Sequence, residues 1–223
     1  MKLPERPSGA VAAASVAAAY GAFAAVFRGP RARFWPRMTR TGLGLGALAL
    51  ATEGDLRRTV PRPRDVALGI GIAAGLYGVF QVGDRAARVV MPKGAEDIGD
   101  IYRLRSLRPK GEIAARLATV IGPAEELYWR GLVQAELARR LGPARGAAAA
   151  AVIYGGAHVA TGNPTLVGAA SVAGGVWSAL AALGVPMPAL VVSHVVWDIW
   201  IFLVQPTQPL DGDSTQPVDV RAG

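Results

Sequence analysis

A chain of 223 residues holds one ordinary domain, but 52% hydrophobic and 18% charged residues are wrong for a soluble one, since soluble domains carry about 25% charged residues. The formal charge of +8 invites nucleic acid. The basic residues, all arginine except Lys2, Lys93 and Lys110, instead fall between apolar segments, so their expected partner is anionic lipid headgroup and not nucleic acid. Cysteine is absent, which excludes disulfides, thiolate catalysis and thiolate metal sites.

The first segment, residues 9–27, is almost entirely Ala, Val, Gly and Phe. It resembles a signal peptide in composition but reads as an uncleaved first span, because apolar segments recur along the whole chain. An arginine-rich strip follows over 28–40. Residues 41–51 are apolar but too few to cross about 30 Å of hydrocarbon unless the helix recruits residues 34–40. Residues 52–64 form a charged connection, and 66–82 a convincing span. Ile98, Ile101, Leu104 and Leu107, interleaved with arginines, predict an amphipathic helix at the membrane surface.

A fourth segment, 112–140, is apolar but interrupted by Glu125, Glu126 and Arg130. Three further spans are predicted over 144–160, 166–183 and 187–204, separated by Gly-Asn-Pro at 162–164 and by a Gly/Pro stretch at 184–188. The expected architecture is all-α: a polytopic transmembrane bundle of about six to eight membrane helices in the cell membrane, with one surface helix. It forms a single membrane-embedded domain over 1–204, with a polar, disordered tail over 205–223. Orientation is not settled, because the basic loops 28–40 and 84–110 compete with four arginines at 57–64.

A charge inside an apolar helix costs several kcal/mol unless paired or hydrated, so such residues raise the question of function by default. Glu126 and Arg130 are one helical turn apart and predict an ion pair. Glu125 points about 100° away on the helix, is the less neutralised carboxylate, and is the better candidate general base. Tyr154 and His158 share a face at the same spacing, as do His194 and Asp198, where a carboxylate can orient an imidazole. His158 and His194 are the only histidines in the chain, and both fall inside apolar segments. A carboxylate pair and two histidine-bearing helices are an inventory for water activation, with or without a metal. None of Ser171, Ser178 and Ser193 stands in a G-x-S-x-G setting. Side chains of Glu125, His158 and His194 are expected to converge on one water-sized space.

Glu125-Glu126-x-x-x-Arg130, Tyr154-x-x-x-His158 and His194-x-x-x-Asp198, in that order on successive apolar segments, resemble the CPBP family of intramembrane proteases. That family includes type II CAAX prenyl proteases and bacterial bacteriocin-processing and immunity proteins. The resemblance covers residues 96–204, the expected catalytic core. It implies peptide-bond hydrolysis of hydrophobic or membrane-adjacent substrates. Glu125 and His158 would deprotonate water, His194 with Asp198 would stabilise the oxyanion, and Glu126 and Arg130 would buttress the site. The family is grouped with metalloproteases, and a glutamate-dependent mechanism is also argued for it. Zinc held by Glu125, His158 and His194 is admitted but not compelled, because the H-E-x-x-H form is missing. Two positions depart from the family pattern: Tyr154 stands where phenylalanine is usual, and Asp198 where asparagine is common. The competing functions are a catalytically silent immunity or scaffold protein of the same fold, and a transporter or proton relay using Glu125, Glu126 and His158.

Overall fold

The structure, a computed structural model, describes residues 9–53, 55–56, 60–90, 99 and 101–205. The predicted tail therefore lies outside the described residues, as do Ile98 of the predicted surface helix and Arg57 and Arg58 of the second connection. The described residues form helices and no strands, as expected for an all-α bundle.

Helix α1, Gly9–Phe27, buries Ala12, Ser15, Ala19, Phe23 and Val26 along one stripe and presents apolar side chains elsewhere, the pattern of a helix facing lipid. Helix α2, Phe34–Thr52, does recruit the residues before 41 and reaches 19 residues, about 28 Å at 1.5 Å per residue. Helix α3 covers Pro63–Val90.

Helix α4 runs without a break over 110–141 and lies at the centre, packed against α1, α2 and the helices that follow. It contains two π-helical stretches, Leu117–Ile121 and Leu127–Gln134. Pro123 supplies no N–H to the ladder, and its neighbourhood relaxes into wider turns on either side of the glutamate pair. Such turns recur at functional sites because they re-aim side chains. Gly142, at φ 82°, ends α4, and Pro143 opens α5.

Helix α5, Pro143–Ala157, runs into a 3-10 turn, His158–Thr161. Asn163 caps α6, Pro164–Ala182, by accepting the Leu166 N–H at 2.8 Å. Helix α7 spans Met187–Val204, its last turn again π-helical. Of the predicted surface helix, residues 101–107 are helical turns, with Leu104 and Leu107 packed on the core.

Among the described residues, four helices are long and apolar enough to cross a membrane: Gly9–Phe27, Pro63–Gly83, Pro164–Ala182 and Met187–Val204, with mean hydropathy of 1.5 to 1.9. Helix α4 is too charged to qualify, and its mid-helix charges, Glu125, Glu126 and Arg130, are buried among the helices around it. Small residues set those crossings. A Cβ on Gly46 would stand 3.1 Å from Ala124 Cβ, so α2 approaches α4 beside the glutamate pair. A Cβ on Gly122 would stand 2.8 Å from Val195 Cγ2, so α4 and α7 are equally close. Close approach over small residues is how helices pack where lipid removes the hydrophobic drive.

Chain direction alternates. One end of the bundle gathers the C-termini of α1, α3, α5 and α7 with the N-termini of α2, α4 and α6. Trp35 Nε1 donates to the Leu104 carbonyl at 3.0 Å and Arg116 to Thr39 Oγ1 at 2.7 Å at this end. The other end joins α2 to α4 through Arg139 and Glu53, 3.0 Å apart.

Candidate active site

A cavity of about 690 Å³ opens at the first of these ends. Its walls are mostly apolar: Phe27 of α1, Trp35 and Met38 of α2, Phe80 of α3, Trp197 and Phe202 of α7. Three of the sequence-predicted site residues line it, namely Glu125, His158 and Asp198. Glu126, Arg130 and His194 lie behind that wall.

The adjacent glutamates are thereby separated. Glu125 Oε2 accepts from the Tyr154 hydroxyl at 3.1 Å and makes no ion pair among the described residues. Glu126 is fully buried; its Oε1 accepts from Arg130 Nη1 at 3.0 Å and lies 2.7 Å from His194 Nδ1. The predicted Glu126–Arg130 pair is present. Arg130 also donates Nη2 to the Gly174 carbonyl at 3.1 Å, and its guanidinium lies 4.6 Å from the Tyr154 ring centre. A buried ion pair is held by the further hydrogen bonds its partners make; His194 and the α6 backbone supply two, while Glu126 Oε2 and Arg130 Nε are buried with no hydrogen-bond partner among the described residues.

His158 Nδ1 lies 3.0 Å from the Tyr154 carbonyl. A carbonyl only accepts, so Nδ1 carries the proton and Nε2 of the neutral ring remains the acceptor. The ring is held edge-on by Phe23, centroids 5.4 Å apart, and packs near Phe27. His194 Nε2 lies 3.5 Å from Asp198 Oδ2, so this imidazole sits between two carboxylates. It stacks flat on Trp177, centroids 4.0 Å apart at 13°. Trp177 is fixed in turn by its Nε1, which donates to Ser193 Oγ at 3.0 Å.

The structure thus brings Glu125 and His158 to one space, with Asp198 as the third member and His194 one layer behind. Among the described residues, no three of His, Asp and Glu are grouped to hold a metal ion. His194 in particular turns both ring nitrogens toward carboxylates.

Sequence reasoning missed Phe23, Phe27, Trp35 and Trp177. An aromatic residue in an apolar helix carries no mark of whether it faces lipid or a buried histidine.

Residues 112–200 match the family described as Type II CAAX prenyl endopeptidase Rce1-like. This part of the chain, from α4 into α7, is CAAX-protease-like, in agreement with the three motifs. The match takes in every helix that carries a motif residue and none of α1 to α3. No curated protein and no solved structure matches the chain. With four helices among the described residues able to cross a membrane, the match over residues 112–200 points to an integral membrane protein.

Proposed function

We propose that this chain is a multi-pass intramembrane endopeptidase that hydrolyses peptide bonds of hydrophobic or membrane-anchored substrates, with Glu125 as general base. The observation that carries the reading is the division of the glutamates. Glu126 is committed to Arg130 and His194, whereas Glu125 is held by one neutral hydroxyl and faces the cavity. A base must lie within reach of a water and not be spent on a cation.

In this mechanism water sits between Glu125 and His158. Glu125 takes its proton as the oxygen adds to the scissile carbonyl, while His158 Nε2 accepts the second hydrogen bond and aims the lone pair. Negative charge then develops on the carbonyl oxygen. The His194–Asp198 pair meets it: Asp198, in its protonated form, donates from the cavity wall, and His194 behind it orients that carboxyl through Nε2. Glu125 returns its proton to the departing amine. Glu126 and Arg130 keep His194 in place.

Zinc is not required by this arrangement. A catalytic zinc takes three protein ligands, and His194 is already turned to Glu126 and Asp198. The reading is therefore of a glutamate-dependent enzyme.

The test uses detergent-purified protein and a library of apolar peptides. Glu125→Gln and His158→Ala should each lose cleavage by at least about 100-fold, the usual range for a lost acid–base group. Equal cleavage by both variants and the wild type would sink the assignment. Metal analysis with chelator titration on the same preparation should find full activity without bound metal; loss of activity restored by zinc would establish the metalloenzyme form instead.

A further inference from the structure

The cavity runs sideways as well as inward. Helix α3, over Pro63–Gly83, and helix α6 are both long and apolar enough to cross a membrane, and each is held by a different neighbour. Helix α3 lies along α7, where a Cβ on Gly69 would stand 2.7 Å from the Ala189 carbonyl oxygen. Helix α6 lies along α5, where a Cβ on Gly174 would strike the Tyr154 ring. The two meet each other deep in the bundle. There Leu76 of α3 joins Ala173 and Trp177 of α6 and Leu190 of α7 in one buried cluster.

Toward the mouth they part. Val79 and Gly83, one and two turns beyond Leu76, line the cavity, and so do Val172 and Gly168 on the turns before Ala173. A Cβ on Gly83 or Gly168 would meet nothing within 4 Å, and Val79 and Val172 are each 47% exposed. Gly46 and Gly122 let helices touch; these two glycines keep space open. Among the described residues, a slot therefore separates the last turns of α3 from the first turns of α6. Both of its walls belong to helices able to cross a membrane, so it opens toward lipid.

We propose that this slot receives the apolar flank of a polypeptide substrate from the lipid, and that Gly83 and Gly168 set how bulky that flank can be. The occupant follows from continuity. Glu125, His158 and Asp198 line the same cavity, so a chain whose scissile bond lies at Glu125 has its neighbouring residues in the slot. A membrane segment must unwind there to present a peptide bond, and its freed N–H and C=O groups then need polar company. Thr161, Asn163 and Thr165 line the cavity at the start of α6, which suits a peptide and is of no use to a lipid chain. The proposal rests on the protease reading for cleavage, but binding in the slot is measured without turnover.

The binding measurement uses the full chain as the E125Q variant in nanodiscs. With p-benzoylphenylalanine at Val172, light should attach a biotinylated peptide carrying a Leu/Phe-rich flank. The same group at Val152, 75% exposed on α5 and outside the cavity lining, should not capture it. Adding G83L/G168L should cut capture by at least about tenfold, the scale of overpacking a filled site. Adding G78L/G175L should not, because those glycines are equally open but do not line the cavity. Leucine is the better helix former at all four positions, so the fold is not at risk. Equal capture from Val152 and Val172, equal capture of a Gly/Ala-flanked peptide, or equal loss in the two glycine pairs would overturn the slot. Displacement of the peptide by farnesol or palmitate would assign it to a lipid chain and overturn it too.

With Glu125 restored, G83L/G168L should lower kcat/KM for the Leu/Phe-flanked peptide relative to the Gly/Ala-flanked one by about tenfold. The same loss on both peptides would overturn the specificity role. Capture without any cleavage by the wild type would sink the protease reading alone. Cleavage whose peptide preference ignores G83L/G168L would sink the slot alone.

Discussion

The cavity wall and the polar layer behind it are built from neighbouring residues of the same helices, yet they solve opposite problems. Glu125, His158 and Asp198 face the cavity with few partners. Glu126, Arg130 and His194, only 0 to 3% exposed, are tied to one another and to α6. A desolvated charge must be matched at once by fixed neighbours. A reacting group needs capacity left over for a substrate. The adjacent glutamates fall on opposite sides of that divide because their side chains leave α4 about 100° apart.

The comparison breaks most sharply when each glutamate is replaced by its amide. Glu125→Gln should remove hydrolysis by at least about 100-fold and leave the melting temperature within a few degrees of wild type. Glu126→Gln should act on stability first. It leaves Arg130 without its carboxylate and His194 with only one of its two, and breaking a buried pair from one side costs about 3–5 kcal/mol. A thermal melt in detergent measures it. Two variants that melt alike would show that the layers are not distinct.

Trp177 sharpens the same contrast from the α6 side. Its ring covers His194 and reaches Arg130, 5.4 Å from the guanidinium, while its own N–H is held by Ser193. Trp177→Ala removes a fully buried ring and should cost about 3–5 kcal/mol. Trp177→Phe keeps a ring over the imidazole and should recover most of that stability. If the alanine variant melts like the wild type, the polar layer is not held by this stack.

How much of this was legible in the sequence depends on what each position must pay to be there. Glu125, Glu126, Arg130, His158, His194 and Asp198 stood out because a charge in an apolar segment is expensive and demands a reason. Spacing then gave the Glu126–Arg130 pair. The first apolar segment was legible as far as its end at Phe27, since no charge interrupts it. Helix α2 was half legible: Arg37 and Arg40 hide its first turns, and only the packing of Trp35 and Met38 shows that the helix begins at Phe34. The motif-free first ninety residues hid their part in the site altogether. Phe23, Phe27 and Trp35 are cheap in any membrane helix, so no sequence signal separates a cavity wall from a lipid-facing surface. Partition of the site into two layers was also hidden, because it depends on which helix stands behind which.

The smallest effect is expected at the point where the two layers touch. Tyr154 gives its hydroxyl to Glu125 in the wall, its ring to Arg130 in the layer behind, and its carbonyl to His158. Tyr154→Phe removes only the first of these, since the ring and the backbone remain. Glu125 would still be a carboxylate facing the cavity, but with one oxygen no longer held. A hydrogen bond to a charged group contributes about 1.5–3 kcal/mol, and a carboxylate that water also reaches recovers part of that. The expected loss is therefore about tenfold in kcat, with KM and the melt unchanged, because neither the apolar walls nor the buried pair is touched. A change confined to KM would place the hydroxyl among the groups that hold substrate. A lowered melt would assign it to the supporting layer, and the line between the two layers would then have to be drawn on the cavity side of Tyr154.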